Sequence, residues 1–183
     1  MSDLLPTVAI LGGTGDLGTG LARRWTQAGY RVIIGSRTQE KAQEAVDALQ
    51  GLMQERGIAD AAAEAMDNHA AASAADIVAM TVPFAHHAST LESVKDVLEG
   101  KILIDVTVPL VPPKVARVQL PEQGSAGQIA QEIVGENVQV VSAFQNVAAV
   151  HLQAGSDLTC DVIVCGIKKP LEKRLSNLLK RPA

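Results

Sequence analysis
Short apolar runs alternate along this chain with stretches of helical period. Residues 7–11 form a continuous apolar run that ends on glycines. From 16 to 28, Leu17, Leu21, Trp25 and Ala28 recur near one helical face, and Gly29 supplies the stop. Residues 32–35 read as the next strand and 39–55 as a long polar–apolar helix. The run DIVAMTV at 76–82 is a buried strand. A helix over about 85–98 follows, then strands at 101–106, 138–143 and 161–165. The Ala-rich stretch 59–75 reads as a short strand and helix, or as a loosely packed insertion.

These strands lack strict apolar–polar alternation, which predicts burial on both faces. With helices between them and right-handed crossovers, the pattern predicts an α/β, Rossmann-like, doubly wound and mostly parallel sheet with helices on both faces. Residues 107–125 carry Pro109, Pro112, Pro113 and Pro121 and read as a long surface loop. Residues 167–183 stand apart as a short basic tail. Lys168, Lys169, Lys173, Arg174, Lys180 and Arg181 face a lone acid there, Glu172. The tail reads as an amphipathic helix with Leu171, Leu175, Leu178 and Leu179 turned inward, or as a basic interaction segment.

Composition narrows the class. Of the 183 residues 47% are hydrophobic, enough to build a sizeable core, yet 2% are aromatic, so that core is aliphatic. The net charge of −4 offers no basic field for nucleic acid or a membrane surface. No apolar run approaches the roughly 20 residues of a membrane span, and the N-terminus lacks the basic start of a secretion signal. Two cysteines, Cys160 and Cys165, would point to opposite faces of one strand. A disulfide or metal pair is therefore not expected, and a reducing cytoplasm is.

The segment Gly12-Gly13-Thr14-Gly15-Asp16-Leu17-Gly18 is the strongest local signal. Gly13, Gly15 and Gly18 make G-x-G-x-x-G between a strand and a helix, the setting in which this motif holds a dinucleotide. The first glycine allows the tight turn, the second a close approach to pyrophosphate, and the third close helix–strand packing. The helix N-terminus adds unpaired N–H groups and a positive dipole end. At the end of the second strand an NAD site would place Asp or Glu. This chain has Gly35-Ser36-Arg37. Arg37 can grip a 2′-phosphate with two charge-assisted bonds, Ser36 can donate another, and Lys41 lies one helical turn on, so NADP(H) is expected.

Ligands of such sheets sit beyond the carboxyl ends of the strands. Pro83 and Pro109 each fix a turn just past a strand. Phe84 and Phe144 fall on loops there, either against a ligand or as plugs of the core. His86 and His87 are adjacent and point in different directions, so they are not a metal pair. One of them could hydrogen-bond a ribose or phosphate, or each could be a cap or surface residue. His69 and His151 give no ligand spacing, so no metal site is expected. Ser36 and Ser142 lack the elbow of a hydrolase nucleophile.

Taken together, VAILGGTGDLGTGLARRW, VIIGSR with Lys41, DIVAMTVPFAHH and VVSAFQNVAA resemble the NADPH-dependent F420 reductases, the F420H2:NADP oxidoreductases. The resemblance runs from about Thr7 to Gly166. It implies an oxidoreductase that exchanges a hydride between NADP(H) and the deazaflavin coenzyme F420. Family contacts fall on Thr14, Gly15, Asp16 and Leu17 at the pyrophosphate, and on Ser36, Arg37 and Lys41 at the 2′-phosphate. Val82, His86, Val108 and Ala149 match positions lining ribose and nicotinamide, and Pro83 lies where the deazaflavin would approach. Such chemistry belongs to the two rings, so no catalytic acid, base or nucleophile is assigned. The resemblance also implies small-molecule partners and a homodimer.

Two departures stand out. Gln145 occupies a position where relatives often carry His. The chain also ends in a basic tail where relatives continue with a strand and helices, so residues 1–166 are read as an NADP-binding Rossmann domain with a shortened C-terminus. The competing readings are an NADP(H)-dependent reductase of another acceptor (an imine, a flavin or a metal ion) and a non-catalytic NADP(H)-binding protein.

Overall fold
A computed structural model of the chain describes residues 5–58, 63–111, 117–154 and 160–166. In chain order the elements are β1 (Val8–Leu11), α1 (Asp16–Gln27), β2 (Val32–Ser36), α2 (Gln39–Glu55), β3 (Ala63–Asp67), α3 (Asn68–Ala74) and β4 (Ile77–Met80). They continue with α4 (Phe84–Glu92), a 3-10 turn (Lys95–Val97), β5 (Ile102–Asp105), α5 (Ala126–Val134), β6 (Gln139–Ser142), α6 (Ala149–Ala154) and β7 (Cys165–Gly166). The sheet order is β3-β2-β1-β4-β5-β6-β7. All pairs are parallel except β6 with β7. The fold is the expected doubly wound α/β sheet.

The missing alternation in the strands has a direct cause. Val8 and Ile10 of β1 join one apolar cluster with Leu21, Trp25, Val46 and Met53, under α1 and α2. Ala9 and Leu11 join the opposite cluster with Ala71, Ala72, Leu91 and Ala130, under α3, α4 and α5. Every residue of β1, β2, β4 and β5 is buried. Both faces are covered, so both sets of side chains are apolar.

Several elements differ from the sequence expectation. The helix expected over 85–98 stops at Glu92. The hydroxyls of Ser89 and Thr90 donate to the His86 carbonyl, and Ser93 donates to the Thr90 carbonyl. These side chains compete with the helical ladder, and the chain tightens into the 3-10 turn. The strand expected at 161–165 shrinks to Cys165–Gly166. The Asp161 carbonyl instead accepts the Asn146 side-chain amide, while Val162 and Val164 pack against the core. Ala63–Ala74 resolves as strand then helix. Helices α5 and α6 were not read from the sequence. Cys160 and Cys165 are free and exposed. The tail 167–183 lies outside the described residues. Among the described residues no helix is long and apolar enough to cross a membrane.

Candidate functional site
Chain direction across the sheet reverses at β1, which pairs β2 on one side and β4 on the other. A cavity of about 590 Å³ opens there, at the carboxyl ends of the strands. This is the switch point at which open α/β sheets hold ligands.

The glycine turn builds one wall. Gly12 has φ +66°, and a Cβ on it would run into the Val82 side chain, so the left-handed residue of the turn is Gly12 and not Gly13. Gly13 donates its N–H to the Gly35 carbonyl at 2.9 Å. A Cβ on Gly18 would lie 2.6 Å from the Gly13 Cα, which makes the third glycine the one that seats α1 on the turn. A Cβ on Gly15 would have nothing within 4 Å. Gly15 therefore faces open space, as a backbone approached by a ligand should. Thr14, Gly15, Asp16 and Leu17 all line the cavity.

The end of β2 supplies cations. Ser36 is buried, and Arg37 and Lys41 are exposed on the same cavity. Neither cation has a hydrogen bond or ion pair among the described residues. The acid opposite Ser36 in the register is Asp67, and its carboxylate is engaged with the Ala70 N–H at the start of α3. No carboxylate at this strand end occupies the place of a 2′-hydroxyl acceptor, and two free cations are present. The set fits a phosphate.

The far wall comes from β4 and β5. Val82, Pro83 and His86 line it, with Val108 across from them. The two open aromatic readings divide. Phe84 stands on the cavity wall and stacks on the His87 ring, centroids 6.2 Å apart. Phe144 is a core plug, edge-on to Trp25 at 6.0 Å. His87 is neither cap, surface residue nor ligand contact. It is 1% exposed and its Nε2 lies 3.0 Å from Asp105 Oδ2. Asp105 Oδ1 accepts the Thr107 N–H, and its carbonyl accepts the Gln145 side-chain amide.

Gly13 and Ala149 do not reach the cavity wall. Gly13 is buried beneath the turn, and Ala149 begins α6, which packs on α1. The other expected contacts are brought together. Asn68, Thr81, Thr90, Val106, Thr107 and Leu110 also line the cavity and were missed. Asn68 follows β3, so the rule that ligands gather at strand ends would have found it had the Ala-rich stretch been resolved.

The family described as NADP oxidoreductase, coenzyme F420-dependent, matches residues 7–109. An F420-dependent NADP reductase of Methanocaldococcus jannaschii is 38% identical over 175 residues, covering 93% of this chain and 77% of that protein. The chain belongs to the F420-dependent NADP oxidoreductase family. A second member, the F420-dependent NADP reductase of Methanothermobacter thermautotrophicus, is 37% identical over 162 residues, 86% of this chain and 68% of its own length. The fold also matches a crystal structure from Arthrobacter sp. fb24 described as a "putative f420 dependent nadp-reductase". Its TM-score is 0.75 at 22% identity, over 95% of this chain and 79% of that one.

Proposed function
We propose that this protein is an oxidoreductase transferring a hydride between NADP(H) and coenzyme F420. The observation that carries the NADP(H) half is the strand-end pair Arg37 and Lys41, without hydrogen-bond or ion-pair partners among the described residues, at a strand end that carries no carboxylate of its own. Family membership, with relatives named for F420, supports the second cofactor.

In this reading the N–H groups at the start of α1, with Thr14 and Gly15, hold the pyrophosphate. Ser36, Arg37 and Lys41 hold the 2′-phosphate. Val82, Pro83 and Val108 give the nicotinamide a largely apolar wall, and His86 at the start of α4 offers a polar atom to the ribose. Gly13 shapes the turn, and Ala149 contributes through the position of α6. The two bound cofactors supply the hydride chemistry. The protein orients them, and no side chain is assigned a proton transfer. Small molecules are the partners. The exposed free thiols Cys160 and Cys165 support a cytoplasmic setting. Family resemblance supports a homodimer, which light scattering tests.

The test follows deazaflavin absorbance after NADPH and F420 are added to the purified chain. Reduction of F420 is expected. Tight NADPH binding without F420 reduction would redirect the reading to another acceptor or to a binding role.

A further inference from the structure
Helix α6 is seated closely on α1. A Cβ on Gly20 would lie 2.6 Å from the Leu152 Cβ, so a glycine at that position is what lets the two helices approach. Arg24 Nη2 donates to the His151 carbonyl at 3.1 Å, and the buried Arg23 donates through Nη1 to the Gln153 carbonyl. Both bonds serve carbonyls in the last turn of a six-residue helix, where the helix itself has no donors left. The backbone of Gln153 is thereby held against α1.

Its side chain turns back onto the start of α1. Gln153 Nε2 donates to the Asp16 carbonyl at 2.8 Å and to the Thr19 hydroxyl oxygen at 2.7 Å. The Thr19 hydroxyl passes the contact on, donating to the Gly15 carbonyl at 3.0 Å. Both amide hydrogens and the hydroxyl hydrogen are used. Burial does not force this arrangement, because the buried residue of α6 is Leu152 and the Gln153 amide could turn to water.

The two accepting carbonyls belong to the peptides that matter for binding. A peptide unit is planar, so holding its carbonyl also aims its N–H. The Gly15 carbonyl shares a plane with the Asp16 N–H, and the Asp16 carbonyl with the Leu17 N–H. Those N–H groups have no partner within the helix, and Gly15 at the cap has no side chain to accept them. Asp16 and Leu17 line the cavity at the strand ends. A donor on each carbonyl also polarises the peptide, which makes its N–H a stronger donor.

We propose that Gln153 is a positioning residue for the pyrophosphate-binding turn, acting through Thr19 and the carbonyls of Gly15 and Asp16. This rests on the dinucleotide reading of the cavity. Without the Gln153 amide the first peptides of α1 have to be ordered when the ligand binds, which lowers affinity.

The test measures binding of NADPH, NADH and adenosine 2′-monophosphate to the whole chain by calorimetry, with urea unfolding alongside. Gln153→Met keeps the side-chain length and removes both donors. It should weaken NADPH and NADH by the same factor, about tenfold, the scale of one or two hydrogen bonds. Adenosine 2′-monophosphate has no pyrophosphate and should stay within about twofold of the parent. Thr19→Val should act in the same direction, while Thr19→Ser keeps the hydroxyl and should bind like the parent. That pair carries the same comparison should Gln153→Met fail to fold. Dinucleotide affinity within about twofold of the parent in Gln153→Met overturns the proposal. So does an equal loss for all three ligands, which is what a residue that only holds α6 in place would give. A parent that binds neither dinucleotide removes the cavity reading and this role together. A parent that binds both, with Gln153→Met unchanged, removes this role alone.

Discussion

Asn68 Oδ1 accepts the Gly12 N–H at 3.2 Å, joining the end of β3 to the glycine turn 56 positions earlier. Removing that acceptor in Asn68→Ala strands a part-buried donor and should lower stability by about 1–2 kcal/mol. Asn68→Asp keeps an acceptor but brings a negative charge to the cavity proposed to hold the phosphates. Its expected signature is near-parental unfolding in urea with NADPH affinity reduced about tenfold by fluorescence titration.

Gly15 and Gly18 should separate binding from folding. A methyl on Gly15 meets open space, so Gly15→Ala should unfold like the parent while NADPH binding drops at least about tenfold. A methyl on Gly18 meets the Gly13 backbone, and Gly18→Ala should lose about 1–3 kcal/mol as well as binding. Thermal melts with and without NADPH distinguish the two.

Arg37 and Lys41 should act on the phosphate and not on the fold. The double variant Arg37→Ala/Lys41→Ala is expected to weaken NADPH about 100-fold and NADH less than about threefold. Equal losses for both nucleotides would remove the 2′-phosphate assignment.

The buried pair His87–Asp105 predicts a stability effect. Asp105→Ala leaves the His87 ring and the Thr107 N–H without their acceptor. A loss of about 3 kcal/mol in urea denaturation is expected.

Acid sensitivity should appear at the sheet edge. Arg31 donates two hydrogen bonds to Glu64, and chiefly that bonding lowers the Glu64 pKa. A lowered folded-state value means stability present above the unfolded carboxylate range and lost as pH falls through the folded one. Glu64→Gln should therefore cost a little stability near neutrality, less in high salt, and nothing once the pH is low enough to protonate Glu64. Paired melts across that range check it.

Where apolar period and turn chemistry agree, the fold was legible. Residues 7–35 set out strand, glycine turn, helix and strand in nearly the observed places, because Leu21 and Trp25 have to reach the core that Val8 and Ile10 share. The cavity wall followed from strand ends marked by Pro83, Arg37 and Thr14. What was not legible depends on long-range partners. Nothing local to His87 signals Asp105, and Phe144 became a core residue through contact with Trp25. Helix α5 was readable in principle. Ser125 caps it by accepting the Gln128 N–H, and Gly135 ends it at φ +79°.

Asp105 has one further property. Its two carboxylate oxygens and its carbonyl reach His87 on α4, Thr107 in the loop after β5, and Ala143 and Gln145 after β6. Three segments thus hang from one strand end. Fluctuations there cannot be independent, since displacing any one segment strains the bonds of the others. Local opening around Asp105 should therefore be cooperative, one free-energy step shared by the three segments.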